Sequence, residues 1–347
     1  MRRIVVDAED PGEPTRDHPT QHPPKLCEAN ETKVRPKSSG GEDGNIFFPN
    51  FLHAGDHVHL GPGVTGQRVT NPAINLHDIP PVHLILLSHY HAYDITLQQL
   101  VFDKQVGANL TVFGQSDHFD QKVEDSLTRD IPIITTPHAK GCLESKGKDS
   151  FTQVEGLDTY QSILVEIKSK ESANTKEPAI KITAMPGKHI PPGPLSIAND
   201  ILHAVPPTNG WMVELGHTTQ YHHAEGDFET NYRIYISGDT LMCDELKEIP
   251  KIYADQKIDL MLIHLGGTTI PSPHIPLLMV TMDAKQGIEL LKLIRPDVTI
   301  PIHYDDYDVF LSPLMDFQKA VEDAGLSNKV VYLDRKDQYK FKTTWSH

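Results

Sequence analysis

The sequence predicts an α/β fold of two β-sheets covered by helices, and three observations predict it. Short apolar, β-branched runs recur from Ile46 onward, each about the length of a buried strand. Helical patterns fall mainly between the later runs, which does not suit a simple alternating parallel sheet. No window approaches the roughly 18 continuous apolar residues of a membrane span.

Residues 1–45 are rich in Pro, Glu, Asp, Lys and Ser and contain one short apolar run, Ile4-Val5-Val6. Such a stretch buries too little surface to offset its ordering entropy, so a disordered tail is expected ahead of one domain over 46–347. Strands are expected at 83–88, 131–135, 162–169, 179–185, 210–216, 232–237, 259–265, 298–303 and 329–334. A helix over 118–129 would carry Phe119, Val123 and Leu127 at four-residue spacing. A second, over 283–294, begins on Asp283, a good N-cap. A third, over 312–324, has Ser312 as N-cap, Pro313 at its first position, Gly325 as its stop, and Leu314, Phe317, Val321 and Ala324 as an apolar stripe. The polar stretch 217–231, with His217, His222 and His223, reads as a surface hairpin loop.

Bulk composition narrows the function. Thirty-two basic against 47 acidic side chains leave a net charge of −15, which argues against a nucleic-acid partner. Three dispersed cysteines, Cys27, Cys142 and Cys243, form neither a disulfide framework nor a metal knuckle, so a reducing, cytoplasmic setting is expected. No apolar leader follows Arg2-Arg3. A serine hydrolase lacks its G-x-S-x-G, and Gly266-Gly267 lacks the G-K-[ST] of a phosphate loop.

Ligand-type residues stand where the runs end. Ser88-His89-Tyr90-His91-Ala92 closes the 83–88 run, and Asp117-His118 follows after segment 93–116. With that segment excised the residues read H-x-H-x-D-H, a turn whose imidazoles and carboxylate suit zinc and its first-row neighbours. Pro186-Gly187-Lys188-His189 follows the 179–185 run, and Ser237-Gly238-Asp239-Thr240 follows 232–237, its glycine letting the chain turn sharply. Pro301-Ile302-His303-Tyr304 closes 298–303. One such residue is usually a satisfied structural group. Four such ends in this order point to a dinuclear-type site or its vestige.

This ordered set resembles the metallo-β-lactamase superfamily over about 46–92 and 117–345. The likeness is greatest to the branch of N-acylphosphatidylethanolamine phospholipase D and ascorbate-6-phosphate lactonase. The resemblance implies an αββα sandwich, two mixed sheets flanked by helices, with two divalent ions at one sheet edge: zinc first, manganese or iron as alternatives. It assigns His89, His91 and His189 to one ion, Asp117, His118 and His303 to the other, and Asp239 as their bridge. Asp117 and Asp239 are the carboxylates it ties to catalysis, with a shared hydroxide as nucleophile. Ligating imidazoles need outer acceptors; Tyr304, Asp305, Asp306 and His264 are candidates for that role or for substrate contact.

The chain departs from the pattern twice. Tyr93-Asp94 stands where Asp-His belongs, so 93–116 is either a translated in-frame intron or a genuine loop from which Asp117-His118 folds back. The family's opening hairpin and Asp-Pro turn are replaced by the polar tail and Phe48-Pro49-Asn50-Phe51, so the first strands are missing or the tail has replaced them. His53, His57 and His59 fall in a Gly/Pro-rich loop, and His138 at a strand end suits a structural hydrogen bond. The leading expectation is a metal-dependent hydrolase of a small ester, lactone or phosphodiester, lipid-like substrates included. The alternative is a catalytically impaired member of the fold whose metal turn is split. Neither requires a transmembrane segment, and both are compatible with a homo-oligomer.

Overall fold

A computed structural model describes residues 2–7, 32–34, 53–61, 64–72, 83–90, 119, 121–168, 176–191, 193–194, 196, 199, 205–219, 228–272, 275–335 and 337–341. His91, Asp117, His118, His222, His223, the 93–116 insertion and the 48–51 turn lie outside the described residues.

In chain order the strands are β1 (Arg2–Asp7), β2 (Thr32–Val34), β3 (His57–Gly61), β4 (Val64–Gln67), β5 (Ile85–Leu86), β6 (Ile133–Thr135), β7 (Val154–Gly156) and β8 (Ser162–Lys168). They continue as β9 (Lys176–Pro186), β10 (Asn209–Thr219), β11 (Phe228–Ile236), β12 (Leu260–His264), β13 (Thr269–Ser272), β14 (Ile275–Met279), β15 (Val298–Ile302) and β16 (Gln338–Lys340). The large sheet runs β1-β8-β9-β10-β11-β12-β15, and a parallel sheet runs β5-β6-β7. The remaining strands form three two-stranded pairs, β3-β4, β13-β14 and β16-β2.

Side-chain alternation sorts these strands into four layers. Successive strand residues face opposite sides. Ile182, Ala184, Trp211, Val213, Ile234, Ile236, Leu260 and Leu262 of the large sheet therefore meet Ile134, Leu84 and Leu86 of the small one in a sheet-on-sheet core. Their neighbours Met185, Met212, Tyr235, Met261 and Ile263 face the other way, onto the helices at Ile249–Ile252, Ala284–Ile294 and Leu314–Asp323. On the far side, Ile85, Leu87 and Ile133 pack with Val123, Ala139 and Leu143 of the helices at Gln121–Ser126 and Pro137–Glu144. The order is helix, sheet, sheet, helix, as expected. Among the described residues no helix is long and apolar enough to cross a membrane.

Several expectations need correction. Arg2–Asp7 is a strand, not part of a disordered tail: it pairs in parallel with β8, Ile4 against Val165 and Val6 against Ile167. The one apolar run of the tail suffices because the β8 edge supplies the hydrogen-bond ladder, and Val6 is buried against the inter-sheet core. Among the described residues of 118–129, the helix is Gln121–Ser126. The 329–334 run forms no strand; Ser327–Lys329 is a 3₁₀ turn and Val330 makes one isolated bridge to Thr299. The 217–231 stretch is not all loop, since β10 continues to Thr219 and β11 resumes at Phe228. His217 is a buried strand residue, with Nε2 2.6 Å from Glu229 Oε2 and Nδ1 3.2 Å from Asn231 Oδ1.

Asp283 caps its helix as expected, its carboxylate accepting from Gln286 N–H at 2.8 Å. The cap of the last helix falls on Pro313 rather than Ser312. Ser312 Oγ instead accepts from Ala284 N–H at 3.0 Å, satisfying an orphan donor at the start of the neighbouring helix. Pro301 sits in β15, an edge strand of the large sheet, where its missing N–H is tolerated.

Candidate metal centre

Topology brings the ligand-type residues to one edge. β11, β12 and β15 are mutually parallel, and β9 and β11 both run antiparallel to β10, so all four share a direction. Residues after their carboxyl ends emerge together: His189 after β9, Asp239 after β11, His264 ending β12 and His303 after β15. β5 of the small sheet delivers His89 to the same place, where Ser88 O accepts from Asn209 N–H at 2.9 Å, at the start of β10.

Hydrogen bonds from backbone N–H groups stitch these ends into one unit. Lys188 N–H donates to Thr240 Oγ1 at 2.8 Å, Leu241 N–H to Lys188 O at 2.8 Å, and Met282 N–H to Thr240 O at 3.1 Å. Gly238 has φ +60°, and a Cβ there would lie 2.5 Å from Asn209 O, so only glycine lets the Asp239 turn approach β10 this closely.

The site is buried and paired. His89 is 0 % exposed and Asp239 3 %. The His89 and His189 rings stand edge to face with centroids 4.8 Å apart. His303 Nε2 lies 3.7 Å from Asp239 Oδ2, and the His264 ring centroid is 5.7 Å from that of His303. Thr281 Oγ1 donates to Asp239 Oδ2 at 3.4 Å.

Each imidazole is held through Nδ1. His189 Nδ1 is 3.1 Å from Val280 O, His303 Nδ1 2.9 Å from Leu265 O, His89 Nδ1 2.9 Å from Ser88 Oγ and His264 Nδ1 3.3 Å from Ser237 Oγ. A carbonyl only accepts, so neutral His189 and His303 carry the proton on Nδ1 and the lone pair on Nε2. His303 Nε2 and Asp239 Oδ2, 3.7 Å apart, are an imidazole nitrogen and a carboxylate oxygen of the kinds a divalent ion takes as ligands. Two ligands of one tetrahedral ion bound at about 2.0–2.2 Å would themselves be separated by roughly 3.3–3.6 Å. The donor chemistry therefore fits a divalent ion. Among the described residues no group of three His, Cys, Asp or Glu side chains could hold one, and His91, Asp117 and His118 lie outside them.

His303 has φ +60°, a conformation that costs a non-glycine residue ~1–3 kcal/mol. Its carbonyl fills the space a Cβ on Gly266 would need, at 2.8 Å, and its ring packs 4.6 Å from that of Phe310. Tyr304 is half-buried against the helix-side core, where burial and then Asp305 push its hydroxyl up to about 12. Asp306 turns instead to two guanidinium groups, accepting from Arg68 Nη2 at 2.9 Å and Arg335 Nη2 at 2.8 Å. Burial raises Asp306, but Arg68 and Arg335 outweigh it and the net shift is downward. His53 and His57 are exposed, and His138 lies on an exposed helix face with Nε2 3.9 Å from Cys142 Sγ.

Sequence reasoning missed the groups that orient the ring atoms. Ser88 and Ser237 could have been flagged as hydroxyls beside ligand-type residues. The carbonyls of Val280 and Leu265, the Thr281 hydroxyl and Arg68 carry no such signal.

The described residues nearest to segment 93–116 on either side, Tyr90 and Phe119, are in contact. The Tyr90 and Phe119 ring centroids lie 6.3 Å apart, and Tyr90 OH donates to Glu124 Oε2 at 2.7 Å. Tyr90, Phe119 and Glu124 thus pack together next to His89 in the chain.

Residues 58–304 match the family model for the β-lactamase superfamily domain, which takes in every ligand-type position from His89 to His303. A metal-dependent hydrolase of Nanoarchaeum equitans is 27% identical over 104 residues, 30% of this chain and 42% of the relative. One of Methanosarcina mazei is 29% identical over 102 residues, 29% of this chain and 38% of its own length. The chain thus spans about two fifths of these curated relatives. The isothiocyanate hydrolase from Delia radicum gut bacteria superposes with a TM-score of 0.54 at 12% identity, covering 83% of this chain and 88% of that one, a likeness of fold alone. With the layered architecture, the convergent strand ends and a family match across 58–304, the chain belongs to the β-lactamase superfamily.

Proposed function

We propose that the protein is a metal-dependent hydrolase of a small ester, lactone or phosphodiester, lipid-like substrates included, as the phospholipase D and lactonase branch it resembles would imply. One observation carries this reading: His303 Nε2 faces Asp239 Oδ2 at 3.7 Å while Leu265 O holds Nδ1, so the pair presents two donors to a cation. The names of the curated relatives support it.

The donor set suits two ions, zinc first and manganese or iron next. His89, His91 and His189 would hold one, Asp117, His118 and His303 the other, with Asp239 between them. Bound divalent ions supply a water of lowered pKa and a Lewis acid for the scissile oxygen. The chain's own residues supply orientation. Val280 O and Leu265 O keep Nε2 of His189 and His303 turned to the site, so little reorganisation accompanies binding. Burial around Asp239 keeps bulk water away and strengthens every charge interaction there. The packing of Tyr90 on Phe119 and Glu124 favours this reading over an impaired, split-motif protein.

Metal analysis of the purified full chain, with a screen of generic phosphodiester and lactone substrates, tests it. About two equivalents of divalent metal and turnover of one class are expected. Asp239→Ala should lose both. Wild-type protein that takes up no zinc, manganese or iron sinks the proposal.

A further inference from the structure

We infer that Arg68 and Arg335 are positioning residues: through Asp306 they hold the 303–306 turn in the backbone conformation that aims His303 at the metal centre. The inference rests on the metal reading above, and its test separates the two.

A non-glycine residue at φ +60° persists only where its surroundings over-determine it. At the His303 end of the turn, Leu265 O and the Phe310 ring hold the imidazole. Downstream, two remote segments, 68–70 and Arg335, close on Asp306. Its Oδ1 accepts from Arg68 Nη2 at 2.9 Å, Arg335 Nη2 at 2.8 Å and Thr70 Oγ1 at 3.0 Å, and its carbonyl accepts from Val69 N–H at 2.9 Å. Arg335 Nη2 also reaches Thr70 Oγ1 and Asp305 Oδ1, each at 2.9 Å.

Arg68 is the centre of this clamp. It is 2 % exposed, donates from Nε to Thr70 O at 3.1 Å, bridges to Tyr307 through its backbone, and lays its guanidinium 5.2 Å from the centroid of the Tyr307 ring. Its Nη1 is buried and finds no hydrogen-bond partner among the described residues. Burying a guanidinium with one end unsatisfied is an inefficient way to gain stability, because desolvation offsets the Coulomb attraction. What the arrangement provides is direction: a planar fork fixes carboxylate, carbonyl and ring together, which a lysine ammonium cannot reproduce. The beneficiary within reach is the strained turn three residues upstream.

Metal-stripped full-length protein carrying Arg335→Met or Arg68→Lys would be compared with wild type by imidazole nitrogen NMR, the His303 signals being identified by their loss in His303→Gln. Wild type should show one His303 pattern, protonated on Nδ1. Both variants should show it doubled or broadened while His89 and His189 stay unchanged. Zinc titration against a chromophoric chelator should then weaken one of two binding steps about tenfold and leave the other alone. An undisturbed His303 in folded variants overturns the inference. So does equal disturbance of all three histidines, which marks general loosening. Should Arg335→Met fail to fold, Arg335→Lys carries the same readouts. If wild type takes up no divalent metal, the hydrolase reading falls while the His303 signals still decide the clamp.

Discussion

Removing the Tyr90 hydroxyl tests whether the chain after β5 is braced by a buried charge network. Tyr90 is 1 % exposed; its hydroxyl donates to Glu124 Oε2 at 2.7 Å and accepts from Lys146 Nζ at 2.5 Å. Burial, and then the Glu124 charge, push that hydroxyl far above the usual tyrosine range, so it remains a donor at any working pH. A hydrogen bond to a charged group contributes ~1.5–3 kcal/mol. Tyr90→Phe keeps the ring beside Phe119 and leaves Glu124 its Lys146 partner, so the loss should fall near the lower end, about 1.5–2 kcal/mol. Lys146→Met removes the only cation paired with Glu124 among the described residues. Breaking a buried pair costs ~3–5 kcal/mol, less here because Lys146 is 27 % exposed. Urea unfolding of metal-stripped protein, followed by circular dichroism, measures both. The combined Tyr90→Phe, Glu124→Leu, Lys146→Met chain should recover most of the loss, because no stranded charge remains. A Tyr90→Phe protein within about 0.5 kcal/mol of wild type would falsify this bracing.

Gly266→Ala should destabilise the metal-free protein by ~1–3 kcal/mol, since φ is +112° and the new Cβ would sit 2.8 Å from His303 O; unchanged thermal unfolding would count against that close approach. Asp306 has a folded-state pKa below its unfolded value of about 3.9, so its contribution is complete above that value and is lost as pH falls through the folded pKa. Asp306→Asn should therefore lower stability at pH 7 and flatten its acid dependence below about pH 4, as pH-dependent urea titrations would reveal. Asp283→Ala should cost ~1 kcal/mol by leaving Gln286 N–H uncapped, and a smaller change than a few tenths in urea unfolding would argue that solvent replaces the cap.

Particular residues show why some features were legible and others were not. Helix 284–294 was readable because a cap acts within three residues, as Asp283 does on Gln286. Ser312 met the same local rule yet serves Ala284, on another helix, because Pro313 took the capping position and left the serine hydroxyl for a neighbour. Composition does not reveal the strand at Arg2–Asp7, because its partner, β8, lies far along the chain and composition records no distant ladder. Polar neighbours give His217 the local pattern of a loop, whereas pairing with β9 and β11 makes it a buried strand residue.

Local chemistry alone determined the alternating strand runs, the helix cap at Asp283, and the supply of imidazoles and carboxylates at run ends, because each depends on side-chain type and short-range spacing. Tertiary structure decided which oxygen holds each Nδ1, which strand ends share an edge, and that Asp306 answers to Arg68 and Arg335. Those outcomes depend on strand direction and on carbonyls and guanidinium groups brought together from remote segments. Sequence carries no signal for a backbone carbonyl's neighbour until the sheets have closed around it.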